Sequence, residues 1–276
     1  MVDVVNATTP WQEGNVDLCG LNIHYYRTGN ADKPALVVAH GFGDNGLCWR
    51  RVANDLQHRF DVIMIDARNH GQSGTAPANS TAIIEDLASV ITALNLAKPA
   101  LLGHSMGAST VAGVAAQYPH LVSKIILEDP LWKERTRAES AEDQNKRLHA
   151  YQQQLEAQQA LSDKEIMQAG KAQHPTWRAD EFPDWAIAKQ QVRAEALLGL
   201  SVSNWTQTHD LVSRITCPSL LIRAGTGSDG VITAEIATKV VKSNNYFSAV
   251  DVAGAGHNIR REGFDEYLAI VSTFLE

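Results

Sequence analysis

The chain has 276 residues, 44% hydrophobic and 20% charged, which is the composition of an ordinary globular protein. Its formal net charge of −7 argues against nucleic acid as a partner. No apolar run approaches the roughly 18 residues of a membrane span, and the first residues lack a secretion signal, so we expect a cytoplasmic protein. The three cysteines lie far apart, which predicts reduced thiols and no metal site. We also expect no cofactor.

The first half of the chain alternates between strand and helix patterns. Residues 16–26 alternate as strands do, with a hairpin turn at Cys19 and Gly20. Short buried strands are predicted at residues 36–39, 62–65, 100–102 and 124–127, and a helix of small residues at 105–117. Strands that are apolar on both faces and separated by helices indicate an α/β protein with a mostly parallel sheet covered on both sides.

The pattern changes near residue 131. From there to residue 209 the sequence is helical and rich in Gln, Glu, Lys and Ala, and Ser162 with Glu165 fits a capping box. Strand patterns resume at 219–222 and 247–250, before an amphipathic helix at 263–275. We therefore expect one core, residues 1–130 and 210–276, interrupted by a helical insertion at 131–209.

A G-x-S-x-G motif carries the strongest chemical signal. Gly103-His104-Ser105-Met106-Gly107 lies between a predicted strand and a predicted helix, where such a serine occupies a strained turn that exposes its hydroxyl. An ordinary serine at a helix N-terminus is the alternative. The context predicts Ser105 as a nucleophile.

A base and an acid are needed to activate a serine. His257 follows the last predicted strand on a glycine-rich loop and is the predicted base, although most loop histidines are only solvent-exposed. Asp229, in the loop after the preceding strand, is the predicted acid, because the order Ser, Asp, His fits this type of triad. Asp129, at the end of the strand at 124–127, remains the alternative.

The oxyanion hole requires two backbone N–H groups. We expect one from Met106, which follows the nucleophile, and one from Phe42 in His40-Gly41-Phe42 at the tip of the first central strand. An ordinary turn between strand and helix is the alternative interpretation of His40-Gly41-Phe42.

With these landmarks in order, the whole chain resembles a cap-bearing α/β-hydrolase. Asp66-Ala67-Arg68-Asn69-His70-Gly71-Gln72-Ser73 resembles the family's D-x-R-G-x-G-x-S loop, with Asn69 in place of a glycine. The resemblance implies a structural role for this loop, so His70 is not assigned to catalysis. The loop of Asp229 is one residue longer than the family's usual form, which keeps Asp129 open. The family's nucleophile lies in this strained turn between strand and helix, called the nucleophile elbow. Serine rather than aspartate at this position separates the chain from dehalogenases and epoxide hydrolases.

The resemblance implies that the insertion forms a lid and that the substrate is a small molecule. Four tryptophans in or next to this segment are candidates for an apolar pocket: Trp132, Trp177, Trp185 and Trp205. We expect a carboxylesterase for small to medium apolar esters that forms an acyl-enzyme on Ser105. A lactonase, a C–C bond hydrolase and a ligand-binding receptor are the alternatives. His104 argues against the C–C hydrolase, because those relatives have Asn before the nucleophile.

Overall fold

The computed structural model describes residues 11–133, 140–199, 205–225 and 229–276. Eight strands form one sheet in the order β1-β2-β4-β3-β5-β6-β7-β8, and only the β1–β2 and β2–β4 pairs are antiparallel. The strands are β1 Gln12–Leu18, β2 Leu21–Arg27, β3 Ala35–Ala39, β4 Asp61–Ile65, β5 Ala100–His104, β6 Lys124–Glu128, β7 Ser219–Ala224 and β8 Phe247–Val252. The predicted α/β class and mostly parallel sheet are confirmed.

Ten α-helices are present in the described ranges: α1 Arg50–Leu56, α2 Ser80–Ala93, α3 Met106–Gln117, α4 Ala141–Gln159, α5 Asp163–Gln173, α6 Phe182–Gln191, α7 Trp205–Ser213, α8 Ala234–Ser243, α9 Ile259–Glu262 and α10 Phe264–Leu275. The predicted capping box is confirmed, since the hydroxyl of Ser162 and the carboxylate of Glu165 each accept a backbone N–H of the other residue. None of these helices is both long and apolar enough to cross a bilayer.

Each central strand supplies side chains to both faces of the sheet. Val37 and Leu101 pack with α2, α3 and α8 on one face, while their neighbours Leu36 and Leu102 pack with α1 and α10 on the other. Successive side chains of a strand point to opposite faces, so a strand covered on both sides must be apolar throughout. This packing explains the continuous apolar runs and holds the carboxyl ends of the parallel strands in a fixed row.

Helices α4 to α7 lie between β6 and β7, where the insertion is expected. Trp177, Phe182 and Trp185 form a small apolar cluster with Ile166 of α5, and Cys48 of the core packs against it. Helix α7 crosses the predicted boundary at residue 209 and places Val212 in the main core. That the segment is a separate cap domain stays a prediction.

Candidate active site

The candidate residues follow strands that are neighbours in the sheet. Gly41 and Phe42 come after β3, Ser105 directly after β5, and Asp129 directly after β6, while β5 lies between β3 and β6. His257 follows β8. Because all these strands are parallel, their carboxyl ends meet at one edge, which is where open α/β sheets bind ligands.

Ser105 occupies the predicted strained turn between β5 and α3. Its φ is +54°, a conformation rare for residues other than glycine, and its hydroxyl does not cap the helix. Gly107 has to be a glycine here, because a Cβ would lie 2.2 Å from the carbonyl oxygen of Ala39. The hydroxyl oxygen lies 3.0 Å from Nε2 of His257. The geometry therefore fits a nucleophile elbow and not an N-cap serine.

Asp129 holds the imidazole of His257. Its Oδ2 lies 2.6 Å from Nδ1, and because a carboxylate only accepts, Nδ1 carries the proton and Nε2 can accept from Ser105. Asp129 is fully buried, and its two oxygens also accept the backbone N–H groups of Val231 and Ile232, both at 2.8 Å. These three hydrogen bonds fix the carboxylate and compensate its burial.

The structure departs from the sequence-based choice of Asp229. This residue is exposed, and its Oδ1 accepts the backbone N–H of His257 at 3.0 Å instead of contacting the ring. Asp229 follows β7, which is one strand farther from β5 than β6 is. The prediction was wrong about which carboxylate reaches Nδ1, and Asp229 instead shapes the loop that carries the histidine.

The loops that carry Phe42 and Met106 meet at the serine. Met106 begins α3, directly after Ser105. Gly41, in the loop after β3, is so close to this turn that a Cβ there would be 2.6 Å from Nδ1 of His104 and 3.5 Å from Cβ of Ser105. That the backbone N–H groups of Phe42 and Met106 form an oxyanion hole stays a prediction.

His104 supports the loop of His257, a role that sequence reasoning did not assign. Its buried Nε2 donates to the carbonyl oxygen of His257 at 2.9 Å, because a carbonyl only accepts. Burial, with the charge of Arg260 nearby, holds the pKa of His104 well below its ordinary value. The residue is thus a neutral donor that fixes the backbone of the proposed base.

The loop that resembles D-x-R-G-x-G-x-S supports Phe42. His70 packs edge-on against the ring of Phe42, with ring centroids 5.8 Å apart, and burial lowers the pKa of His70 to about 3. Asp66 accepts the backbone N–H groups of Gly46 and Gln72. Asn69 adopts φ +64°, which asparagine tolerates better than most residues. The contacts agree with a structural role for this loop.

A cavity of about 550 Å³ opens over Ser105 and is walled partly by the inserted helices. Trp177 and Trp185 line it, as expected. Trp132 does not, because it is 2% exposed and packs in the main core. The side chain of Trp205 lies outside the described residues. Among the described residues, no group of three His, Cys, Asp or Glu is arranged to hold a metal ion.

The cavity wall is more polar than expected. Four of its residues lie on one face of α4 at spacings of four, three and four: Arg147, Tyr151, Gln154 and Gln158. Residues at these spacings share a helix face, so this signal was present in the sequence. The core and α6 contribute charged side chains as well, namely Asp44, Arg261 and Lys189. The pocket therefore differs from the apolar one that the tryptophans suggested.

Comparison with known proteins gives the same fold. Residues 34–259 match the family model described as alpha/beta hydrolase fold. A Haemophilus influenzae protein with a provisionally assigned esterase/lipase activity is 26% identical over 258 residues, which cover 88% of this chain and 83% of that protein. N-formylmaleamate deformylase of Pseudomonas putida is 35% identical over 120 residues, 42% of this chain and 44% of the deformylase.

Solved structures extend the likeness to nearly the whole chain. The crystal structure of E-2-(acetamidomethylene)succinate hydrolase superposes with a TM-score of 0.78 at 20% identity, covering 96% of this chain and 99% of that one. At this identity the likeness concerns the fold alone. The chain spans less than half the length of several curated relatives that it matches, the deformylase included.

Proposed function

Because the chain belongs to the α/β-hydrolase family, we propose that it is a serine hydrolase that cleaves carboxylic esters through an acyl-enzyme on Ser105. One observation carries the proposal: the hydroxyl of Ser105, the imidazole of His257 and the carboxylate of Asp129 form a continuous series, with distances of 3.0 and 2.6 Å. This series lies at the edge of the sheet where the cavity opens.

The geometry supports the following steps. Nε2 of His257 accepts the hydroxyl proton as Oγ of Ser105 attacks the ester carbonyl. The backbone N–H groups of Phe42 and Met106 stabilise the negative oxygen that develops. The imidazolium passes its proton to the leaving alcohol, and Asp129 stabilises the cation meanwhile. Water, activated by the same imidazole, then attacks the acyl-enzyme and releases the acid and the free serine.

A second candidate is hydrolysis of an N-acyl bond, because the deformylase relative is named for such a reaction and shares 35% identity over 120 residues. The same three side chains would serve, with an amine as the leaving group that His257 protonates. Comparing kcat/KM for an ester and the amide of the same acid would separate the two candidates. An amide rate equal to or above the ester rate would favour the second.

The direct test is covalent labelling of the nucleophile. A fluorophosphonate should modify the wild-type protein on Ser105, and p-nitrophenyl acetate should give a burst of one product equivalent. Ser105→Ala should abolish both signals. Ser109→Ala is the matched control, since Ser109 lies in the first turn of the helix that follows Ser105 and its Oγ accepts the backbone N–H of Leu131. Labelling that persists in Ser105→Ala, or no turnover across a panel of esters and amides, would contradict the proposal.

A further inference from the structure

The charges that face the cavity are predominantly positive. Of the described residues that line it, three are cations, Arg147, Lys189 and Arg261, and only Asp44 is a carboxylate. Burial in a partly enclosed cavity strengthens electrostatic interactions relative to water. A ligand that enters this space therefore meets an environment that favours negative charge.

Asp44 does not balance the cations around it. It lies 2.9 Å from Arg260, 3.1 Å from Arg261 and 3.7 Å from Lys189. Glu128 and Glu181 complete the cluster: Glu128 pairs with Arg260 at 3.5 Å, and Glu181 pairs with Arg261 at 3.4 Å.

Glu181 also lies 3.8 Å from a fourth cation, Arg51. Asp180 and Asp265 also act on Arg51, so its charge has several carboxylate neighbours. Lys189 differs, because among the described residues its carboxylate partner is Asp44, which also pairs with Arg260 and Arg261.

Lys189 carries its charge to the wall of the cavity that opens over Ser105. Its Nζ donates to the carbonyl oxygen of Gly43 at 2.7 Å, and its side chain is only 17% exposed. The distance of 3.7 Å to Asp44 is longer than a normal hydrogen bond. Burial lowers the pKa of Lys189, the direction expected for an ammonium that lacks full compensation. An ammonium has three N–H donors, so it can also bind a ligand.

Because Lys189 binds Gly43, an anionic group held by Lys189 would lie near the scissile bond of the substrate. Gly43 directly follows Phe42, whose N–H is proposed to bind the oxyanion. A group held by Lys189 would therefore lie close to the scissile carbonyl. Carboxamides from α4 and α5, Gln154 and Gln173, line the same space and can donate to oxygen atoms.

From these contacts we infer that the cavity selects substrates with a carboxylate a few carbon atoms from the scissile acyl group, recognised by Lys189 in a space that Arg147 also lines. The inference rests on the proposed hydrolase function and names its substrate class. A carboxylate would place a negative charge and two acceptor oxygens beside the ammonium of Lys189. An anionic acid half-ester, and not a wholly apolar ester, is the substrate that this wall fits.

The test compares two methyl esters of equal size, monomethyl glutarate and its uncharged analogue in which a carboxamide replaces the free carboxylate. The wild-type protein should hydrolyse the carboxylate ester with a kcat/KM about tenfold higher or more, the effect of a charge-assisted hydrogen bond. Lys189→Met should reduce this preference to about twofold or less, and Arg147→Gln should lower it in the same direction. Lys164→Met, at an exposed position of α5 outside the cavity, should keep it.

Comparing two esters separates recognition from support of the loop at Gly43. A Lys189→Met variant that loses rate equally on both esters would overturn the inference, because Lys189 would then only support the loop. A wild-type protein that hydrolyses p-nitrophenyl acetate but prefers the carboxamide ester would also overturn it, while leaving the proposed function standing.

Binding supplies a readout that does not need turnover. Calorimetry with Ser105→Ala should detect binding of monomethyl glutarate, weaker binding of its carboxamide analogue, and no comparable binding of inorganic phosphate. Equal affinity for monomethyl glutarate and the carboxamide analogue, or preferential binding of phosphate, would contradict carboxylate recognition. Failure of every ester to react, despite selective binding of monomethyl glutarate, would contradict the hydrolase function alone.

Discussion

Oδ2 of Asp129 lies 2.6 Å from Nδ1 of His257, whereas Asp229 contacts the same histidine only through its backbone N–H. The two aspartates thus contact different parts of His257, one its ring and the other its backbone. Asp129 fixes the tautomer and orientation of the ring, and Asp229 fixes the loop from which the ring extends. Their substitutions should have very different consequences.

Asp129→Asn should lower kcat by roughly 10⁴-fold, because an asparagine amide favours the wrong tautomer of His257. Asp229→Asn should lower kcat by about tenfold at most, because the amide oxygen of asparagine can still accept the backbone N–H of His257, only without the negative charge. Steady-state kinetics with p-nitrophenyl acetate would measure both effects. The opposite ranking of the two variants would contradict the assignment of Asp129 as the acid.

Gly41→Ala should lower kcat by about 10²-fold with a smaller change in KM, the scale reported for loss of one oxyanion donor. The added Cβ would lie 2.6 Å from Nδ1 of His104, and the loop that carries the Phe42 N–H would have to move. Gly20→Ala is the control. It also introduces backbone strain at a glycine, whose φ is +94°, but this glycine lies in the hairpin between β1 and β2 and not beside Ser105. Unchanged kinetics in Gly41→Ala would remove Phe42 from the proposed oxyanion hole.

The stability of the fold should fall as the pH drops from about 6.5, the ordinary pKa of histidine, towards 4. His40 accepts the backbone N–H of Ala67 through Nε2 and donates to Gly41 through Nδ1, so the folded protein holds it neutral, and burial lowers its pKa to about 4. In this range the unfolded chain binds more protons, and each such histidine contributes a slope of about 1.4 kcal/mol per pH unit. His70 and His104 act in the same direction.

Asp66 makes the opposite contribution to stability. Burial raises its pKa to about 6, so as the pH falls the folded protein binds this proton before the unfolded chain does, which favours the folded state. Urea unfolding at several pH values would test the balance. His40→Gln should reduce the acid slope by about 1.4 kcal/mol per pH unit. His58→Gln, at an exposed position, should leave the slope as it is in the wild-type protein. A slope unaffected by His40→Gln would contradict the neutral state of that residue.

Trp132 and Trp185 should separate stability from substrate binding. Trp132→Ala removes a ring that is 2% exposed in the main core and should lower the free energy of unfolding by about 3–5 kcal/mol. Trp185→Phe keeps an aromatic ring but changes the cavity wall. It should therefore raise KM, and it should lower the free energy of unfolding less than Trp132→Ala does. Urea unfolding and steady-state kinetics of each variant would test this. A raised KM in a folded Trp132 variant, with Trp185→Phe unchanged, would reverse the two roles.

The sequence alone determined the features that depend on neighbouring residues. The strand before Ser105, the helix after it, the glycines around it and the capping box at Ser162 are local patterns of backbone conformation and hydrophobic period. The sequence also restricted the acid to two candidates, because Asp129 and Asp229 both follow strands and both stand between Ser105 and His257 in the chain.

Only the tertiary structure decided between them, because contact with His257 depends on which strand lies beside β5 and how the loops pack. The same reason applies to Trp132, whose place in the core or in the pocket depends on the path of the chain after β6. It applies above all to Asp44, Lys189 and Arg261, which are far apart in sequence and ordinary as single residues. Their shared burial, which no local pattern encodes, creates the positive charge at the cavity.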